Sequence, residues 1–313
     1  MALKQVIKVI DLLDSAKVTG HKVGELFTFR GWSEWEVETI ESDRGSTDFI
    51  TVTLPGTEGK RAGGNAPTLG INGRLGSIGA RPEILGMVSD ADGAIVALSS
   101  VLKLIDMRRQ DDLLQGDVIV TTHISPRSPV PTGPQMGPVR MMGSPVDGRE
   151  LLKREVHPEM QAVLSIDATK ANRIINHRGF AISPTVKEGY ILRPSDDLLG
   201  IMGNVTGRMP VVFPLATQDI TPTRELRHIN SIMMPAAMTK APVVGVAITA
   251  EIAVAGIATG ANQPLDLDMA VRFCIEVAKA FGSGECRFYD AQEFEKIVAL
   301  YGSMSHLQTY GKG

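Results

Sequence analysis

Three polar side chains stand where the predicted strands and helices of this chain meet. Asp90 comes just before a long predicted helix, His123 lies at the end of the predicted strand DVIVTTHI, and Asp167 ends the predicted strand AVLSID. Each has an ordinary structural explanation, because carboxylates cap helices and polar residues commonly end strands. Ligands of open α/β folds gather at the carboxyl ends of strands, so the three residues together predict a binding or catalytic site there.

A second group of polar residues follows Asp167 in the segment NRIINHRGFAISPTVKEGY. Its His177, Arg178 and Lys187 are candidates for binding a substrate, since arginine can hold a carboxylate through two parallel hydrogen bonds. Asn72, in the predicted strand TLGING, joins them as a candidate. A solvated turn with ordinary surface charges explains the segment after Asp167 as well.

The elements that must position these residues follow from hydrophobic spacing. Residues 4–30 have the periodicity of two helices joined by a turn, and GAIVALSSVLKLIDM has that of one long helix. Alternating or continuous apolar segments predict strands in WEVETI, DFITVTL, TLGING, DVIVTTHI, AVLSID, AISPTV, MPVVFPL and PVVGVAIT. Further helices are predicted near 196–202 and in DLDMAVRFCIEVAKAF and AQEFEKIVALYGSM.

This succession of strands and helices predicts an α/β fold. Continuous apolar runs such as DVIVTT and VVGVAI are typical of buried parallel strands. We therefore expect a three-layer sandwich with a mixed, largely parallel central sheet and helices on both faces, formed by one domain over 1–313. Residues 125–149 are so rich in Pro, Gly and Ser that they predict a long loop, interpreted as a lid because such loops are usually functional.

Composition excludes several classes of partner. The net charge of -3 and the 5% of aromatic residues leave little with which to neutralise phosphates or stack bases, so no nucleic-acid partner is expected. The apolar stretch 243–258 contains Glu251 and glycines, and the amino terminus lacks the pattern of a signal peptide, so we expect no membrane contact and a cytoplasmic location. The glycines of GNAPTLGINGRLGSIG are not followed by Gly-Lys-Ser/Thr, which argues against a nucleotide cofactor.

The order of these segments resembles the co-catalytic zinc aminopeptidases, the group that includes bacterial leucyl and glutamyl aminopeptidases. The resemblance rests on Asp167-Ala168-Thr169, which matches an Asp-x-Thr pattern of that group, and on KVIDLLDSAKVTGHKVGELFTFRG, EVETIESDRGSTDFITVTL, TLGINGRLGSIGARP and SDADGAIVALSSVLKL. It implies a zinc-aminopeptidase-like fold, a homo-oligomer, and Asp90 at the position of the metal-bridging aspartate. The chain also resembles a bacterial and archaeal family of proteins of this length that has no assigned activity.

The resemblance implies a metal site that has been remodelled. Arg74 begins the segment where a His-x-Asp is expected, His123 falls near the expected paired glutamates, and Thr259 stands where a final histidine is expected. Of the expected ligand positions, those of Asp90 and Asp167 keep a metal-binding residue.

Two functions remain open on these residues. In the first, Asp90, Asp167 and His123 bind zinc, manganese or cobalt, His123 serves as ligand or general base, Arg74 is a further catalytic candidate, and the chain hydrolyses a small amide or peptide. In the second, the guanidinium of Arg74 replaces the metals between the two carboxylates. The chain is then a pseudoenzyme that binds a peptide or amino-acid-like ligand or acts as a scaffold subunit. The first is preferred, because the site adjoins the loop at 125–149.

Overall fold

The computed structural model describes residues 1–74, 76–130, 142–170, 172, 174–222 and 231–309. Its α-helices are α1 (Leu3–Leu13), α2 (Gly20–Phe29), α3 (Asp92–Arg108), α4 (Gly148–Glu155), α5 (Asp196–Thr206), α6 (Pro264–Gly282) and α7 (Ala291–Tyr301). Its strands are β1 (Trp35–Ser42), β2 (Gly45–Leu54), β3 (Leu69–Gly73), β4 (Val118–Ile124), β5 (Ala162–Ala168), β6 (Gly179–Ile182), β7 (Thr185–Lys187), β8 (Tyr190–Leu192) and β9 (Val243–Thr249).

The described strands form one mixed sheet in the order β1-β2-β4-β3-β5-β9-β7-β8, with β6 also paired to β9. The pairs β4–β3, β3–β5 and β5–β9 at its centre are parallel, whereas the strands toward both ends pair antiparallel. The carboxyl ends of β3, β4, β5 and β9 therefore meet at one edge of the sheet, which we call the carboxyl edge. This confirms the predicted α/β fold with a mixed central sheet.

Helices cover both faces of the sheet. Val118 and Val120 of β4 pack into the larger hydrophobic core with α1, α3, α5 and α6. Ile119, between them, points to the opposite face and packs with Ile232 and Met233 of a 3-10 helix that spans Ser231–Ala237. That second layer also includes α4. Among the described helices, none combines the length and apolarity needed to cross a membrane.

Two details of the predicted strands are wrong for the same reason. MPVVFPL is not a strand; it makes only an isolated bridge between Val212 and Ile182, and Pro210 and Pro214 flank it. AISPTV is divided into β6 and β7, with Pro184 between them. Proline has no backbone N–H to give to the ladder, so it interrupts strands that apolar content alone predicts.

A third difference is α4, which the sequence analysis did not predict and which begins at the end of the proposed loop at 125–149. This helix has only eight residues, too short for its hydrophobic spacing to stand out. Residues 131–141 of the proposed loop lie outside the described residues.

The start of α3 lies directly against the carboxyl edge because Gly93 has no side chain. A Cβ at this position would lie 2.3 Å from the carbonyl oxygen of Arg74 and 2.6 Å from that of Ile166. This close approach holds Asp90 and Asp92 at the ends of β3 and β5.

Candidate functional site

A buried group of charged side chains lies at the carboxyl edge, and we call it the charged cluster. Each member is at most 4% exposed, and the members are Arg74, Asp90, Asp92, His123, Glu155, Asp167 and Lys170. Side chains alternate along a strand, so His123 of β4 and Asp167 of β5 share the sheet face that α4 covers. The structure thus brings together four residues predicted as site residues, Arg74, Asp90, His123 and Asp167. It adds Asp92, Glu155 and Lys170, which were not among the predicted site residues.

Arg74 forms an ion pair with Glu155 at the end of α4. Its Nη1 atom donates to Oε2 of Glu155, and its Nη2 atom lies 3.5 Å from Sδ of Met234. Burial raises the pKa of Glu155, and the charge of Arg74 opposes that increase. Burial also raises the pKa of Asp167, and the charge of Arg74 opposes that increase as well. The direct partner of Arg74 is therefore Glu155, and Asp167 is affected by Arg74 only through its charge.

The buried ring of His123 is held by a hydrogen bond at Nε2, whereas its Nδ1 has no hydrogen-bond partner among the described residues. Its Nε2 accepts a hydrogen bond from the backbone N–H of Gly76 at 3.1 Å, which places the hydrogen of a neutral ring on Nδ1. Nδ1 lies 3.5 Å from Oε1 of Glu155. Burial, assisted by the charge of Arg74, lowers the pKa of His123 to about 3. His123 is consequently neutral, and neither nitrogen keeps a lone pair for a metal.

Asn72, in β3, binds the backbone of Glu155, the residue that pairs with Arg74. Its Nδ2 donates to Oγ1 of Thr121 at 3.1 Å and to the backbone carbonyl of Glu155 at 3.3 Å. The hydroxyl of Thr121 donates to the same carbonyl at 2.6 Å. Asn72 is therefore a buried residue that anchors the end of α4 to the sheet.

Asp90 and Asp167 are the two carboxylates of the cluster that have neutral partners. Oδ2 of Asp90 accepts from the backbone N–H of Met142 at 3.1 Å, and Oδ2 of Asp167 accepts from the hydroxyl of Ser231 at 2.6 Å. Burial, followed by the charge of Asp167, raises the pKa of Asp90 to about 7. Burial also raises the pKa of Asp167 to about 6. The pKa values of both carboxylates therefore lie close to neutral pH.

Asp92, the first residue of α3, has a cationic partner. Lys170 forms an ion pair with its Oδ2 atom, and Nδ2 of Asn262 donates to its Oδ1 atom at 2.6 Å. Nζ of Lys170 also donates to the carbonyl of Ala261 at 3.3 Å. Burial raises the pKa of Asp92, and Lys170 opposes the increase. Asp92 and Glu155 thus each have a buried cation of their own.

The other predicted substrate-binding residues lie apart from this cluster. His177 and Arg178 directly precede β6 at the carboxyl edge. The side chain of Arg178 is 49% exposed, and its Nε lies 3.6 Å from Oδ2 of Asp266. Nε2 of His177 lies 3.2 Å from the carbonyl oxygen of Phe180. Lys187 lies at the opposite edge, beside the start of β9, where its ammonium donates to the carbonyl of Lys240 at 2.9 Å.

The described side chains do not fit a catalytic zinc site. Within the part of the chain that the structure describes, no group of three or more His, Cys, Asp or Glu residues is arranged to hold a metal ion. Lys170 forms an ion pair with Asp92, and Arg74 forms one with Glu155. The Nε2 lone pair of His123 accepts a hydrogen bond from Gly76. Zinc prefers nitrogen and sulfur donors, so the two remaining aspartates form a poor zinc site.

Comparison with solved structures identifies the class of fold as aminopeptidase-like. The chain is similar to the bottromycin maturation enzyme BotP, with a TM-score of 0.52 and 15% identity over 91% of this chain and 70% of BotP. A structure of BotP in complex with Mn gives a TM-score of 0.50 at 15% identity, over 90% and 71% of the two chains. A tomato leucine aminopeptidase mutant gives 0.50 at 11% identity, over 87% of this chain and 61% of the tomato protein.

At these identities the similarity shows the fold alone. The family is given by sequence: the model of DUF1177, described as a protein of unknown function, matches residues 38–311, and the chain belongs to that family. A search of curated proteins gives no match.

Proposed function

We propose that the chain binds an amino-acid-like or peptide ligand through its ammonium group, held by Asp90 and Asp167, and does not catalyse hydrolysis. The observation that supports this proposal is the uneven pairing of charges in the cluster. Glu155 has Arg74 and Asp92 has Lys170, whereas Asp90 and Asp167 have only neutral hydrogen-bond donors.

The ammonium group of a ligand would compensate the negative charge of Asp90 and Asp167. Two buried carboxylates repel each other unless a proton or a cation lies between them. An ammonium carries a positive charge and three N–H donors, and charge-assisted hydrogen bonds are roughly twice as strong as neutral ones. Its charge would favour the ionised form of both aspartates.

The ligand must replace the present partners of the two aspartates. Asp90 and Asp167 are 1% and 3% exposed. Met142 and Ser231 each contribute one hydrogen bond to the pair, from the segments that follow residues 141 and 230. An entering ammonium would take the places of these two donors, which belong to partly buried residues.

We propose no catalysis because the neighbouring side chains of His123 and Arg74 are already engaged in contacts within the protein. A hydrolase needs a base to activate water, and the Nε2 lone pair of His123 is bound to the amide of Gly76. Arg74, which would stabilise a developing oxyanion, is held by Glu155. The chain would therefore retain recognition of an amine without the chemistry of a hydrolase, as a pseudoenzyme or a scaffold subunit does.

Isothermal titration calorimetry with leucinamide and trialanine tests this proposal. The N-acetylated forms of both compounds, which lack the ammonium, serve as matched ligands and should not bind. Asp90→Asn and Asp167→Asn should each weaken binding at least about tenfold, a loss of 1.4 kcal/mol or more. Asp43→Asn, in the exposed turn between β1 and β2, is the control and should leave the affinity unchanged. Equal binding of the acetylated forms would reject the proposal.

A second candidate is a metal-dependent hydrolase of a small amide or peptide. It is favoured by one observation: Asp90 and Asp167 are buried carboxylates that lack a cation, and carboxylate oxygens suit hard divalent ions. Elemental analysis of protein purified without chelators, together with leucine p-nitroanilide hydrolysis, distinguishes the two candidates. About one zinc, manganese or cobalt ion per chain, lost in Asp90→Asn, would replace the binding proposal by this one.

Three further properties remain predictions for the whole protein. We expect a single domain over 1–313, a cytoplasmic location, and a homo-oligomer. Light scattering coupled to gel filtration tests the last of these, because a monomer of 33.6 kDa and a dimer differ twofold in mass.

A further inference from the structure

We infer that Lys170 stands in for a divalent metal ion: its ammonium is a built-in cation for the carboxylates at the start of α3, and its removal opens an oxygen site for Mn²⁺ or Mg²⁺. This inference does not depend on ligand binding at Asp90 and Asp167. It concerns a residue outside the proposed amine contacts.

The backbone around Lys170 fixes the direction of its side chain. The backbone N–H groups of Thr169 and Lys170 both donate to the carbonyl of Ile248 in β9 at 2.9 Å, and the carbonyl of Lys170 accepts from Val254 at 3.2 Å. Lys170 adopts a left-handed conformation, with φ of 41°, which residues with a side chain rarely adopt unless surrounding contacts stabilise it. The turn after β5 is therefore held on both sides with the ammonium directed inward.

The ammonium meets oxygen atoms from two other segments. It forms an ion pair with Asp92 of α3 and donates to the carbonyl of Ala261 at 3.3 Å. The adjacent Asn262 donates through Nδ2 to Oδ1 of Asp92 at 2.6 Å and to the carbonyl of Val88 at 3.1 Å. Lys170 is 4% exposed and Asp92 is fully buried, so solvent screens this pair very little.

The charge of Lys170 also reaches Asp90. Burial and the charge of Asp167 raise the pKa of Asp90, and the charge of Lys170 acts in the opposite direction. The ammonium therefore contacts Asp92 directly and acts on Asp90, two positions earlier, only through its field. A buried cation that contacts a carboxylate and a carbonyl oxygen does what a bound metal ion does in an acidic site, without exchange with solvent.

The chemistry left behind by removal of Lys170 predicts the class of ion. Asp90, Asp92 and the carbonyl of Ala261 are oxygen donors, which suit hard ions such as Mg²⁺ and Mn²⁺ better than zinc. Lys170→Ala removes the cation and leaves room for an ion with its waters. Lys170→Met removes the cation but fills the space with an apolar chain, and Lys170→Arg keeps the charge.

The test is Mn²⁺ binding to the full chain, measured by the loss of the electron paramagnetic resonance signal of free Mn²⁺. The parent and Lys170→Arg should bind no ion at the cluster. Lys170→Ala should bind one Mn²⁺ per chain at least about tenfold more tightly than Lys170→Met, and its melting temperature should rise with added Mn²⁺. Adding Asp92→Asn to Lys170→Ala should abolish both effects.

Two results would overturn the inference. A folded Lys170→Ala protein that binds no Mn²⁺ shows that the ammonium does not fill an ion position. A parent protein that binds Mn²⁺ in a manner dependent on Asp92 shows the same, and it would favour the hydrolase candidate instead. If Lys170→Ala does not fold alone, Mn²⁺ or Mg²⁺ should restore folding, and failure of both ions to do so also rejects the inference. Binding of leucinamide to the parent, or its absence, leaves these results unaffected.

Discussion

The guanidinium of Arg74 and the carboxylate of Glu155 form an ion pair in which the two side chains are only 3% and 1% exposed. The pair joins the end of β3 to the end of α4, and Asn72 and Thr121 bind the backbone of Glu155 from the sheet. Burial of two charges is tolerated only when each satisfies the other, so the sheet and α4 are coupled through this contact.

Loss of one partner should therefore destabilise the protein strongly. Arg74→Met leaves Glu155 as an uncompensated buried carboxylate and should lower the free energy of unfolding by about 3–5 kcal/mol in urea denaturation. Arg154→Met is the matched control, because Arg154 lies beside Glu155 in α4 and forms partly exposed ion pairs with Glu38 of β1 and Glu150 of α4. Its loss should cost less than about 1 kcal/mol. Adding Glu155→Met to Arg74→Met should recover most of the loss. An Arg74→Met protein that unfolds like the parent would contradict this account.

The raised pKa of Asp90 predicts how stability depends on pH. The folded pKa is about 7, above the ordinary value near 4, so the folded state binds more protons than the unfolded state between these limits. The contribution of Asp90 is therefore greatest below about pH 4 and is lost as the pH rises through 7. Asp90→Asn should stabilise the protein by about 2–4 kcal/mol at pH 8 and have little effect at pH 4. Urea denaturation across this range measures it, and a destabilised variant at pH 8 would refute the expectation.

The lowered pKa of His123 acts in the opposite direction. The folded pKa of about 3 lies below the ordinary value near 6.5, so the unfolded state binds the additional proton between these limits. The stability contributed by neutral His123 is present above about pH 6.5 and decreases as the pH falls toward 3.

Nuclear magnetic resonance of ring nitrogens measures this behaviour directly. The His123 signals, assigned by their loss in His123→Gln, should show the Nδ1–H tautomer and remain constant from pH 5 to 8. A signal that titrates near pH 6.5 would show that the ring is more exposed than the hydrogen bond to Gly76 allows.

The contact between α3 and the carboxyl edge predicts a strong effect of a small substitution. Gly93→Ala would place a methyl group 2.3 Å from the carbonyl oxygen of Arg74, so α3 and β3 must separate, with a loss of about 1–3 kcal/mol or more. Gly200→Ala, in α5, meets no atom within 4 Å and should stabilise the protein by about 0.5–1 kcal/mol. Thermal unfolding compares the two, and equal effects of both substitutions would contradict the packing at Gly93.

The order of elements was predictable because each carries its own periodic signal. The long apolar repeat of α3 and the alternating residues of β2 were found from the sequence, since burial of one face fixes their spacing. MPVVFPL has the apolar content of a strand, but its two prolines limit it to a bridge with Ile182. Local composition therefore predicted the elements, and proline positions decided where the prediction of strands was wrong.

The charged cluster was only partly predictable, because a sequence does not show which charges are buried. Asp90 and Asp167 stand at the ends of predicted elements, and this position made them candidates. Glu155 belongs to RELLKRE, which has the composition of a solvent-exposed helix, and Lys170 lies in a polar turn. Their partners Arg74 and Asp92 are 81 and 78 residues away in the chain. Only the fold brings these opposite charges together.

The sheet ends in β1, and this has a consequence for protein at high concentration. β1 is an eight-residue strand without a buried residue, and it carries Glu36, Glu38 and Glu41. An exposed terminal strand can pair with the same strand of another molecule and start a fibril. Two copies of β1 side by side would bring acidic side chains together, so repulsion at neutral pH opposes such growth. Acidification would neutralise these glutamates and remove the repulsion. The sheet of one molecule could then extend by pairing with β1 of another.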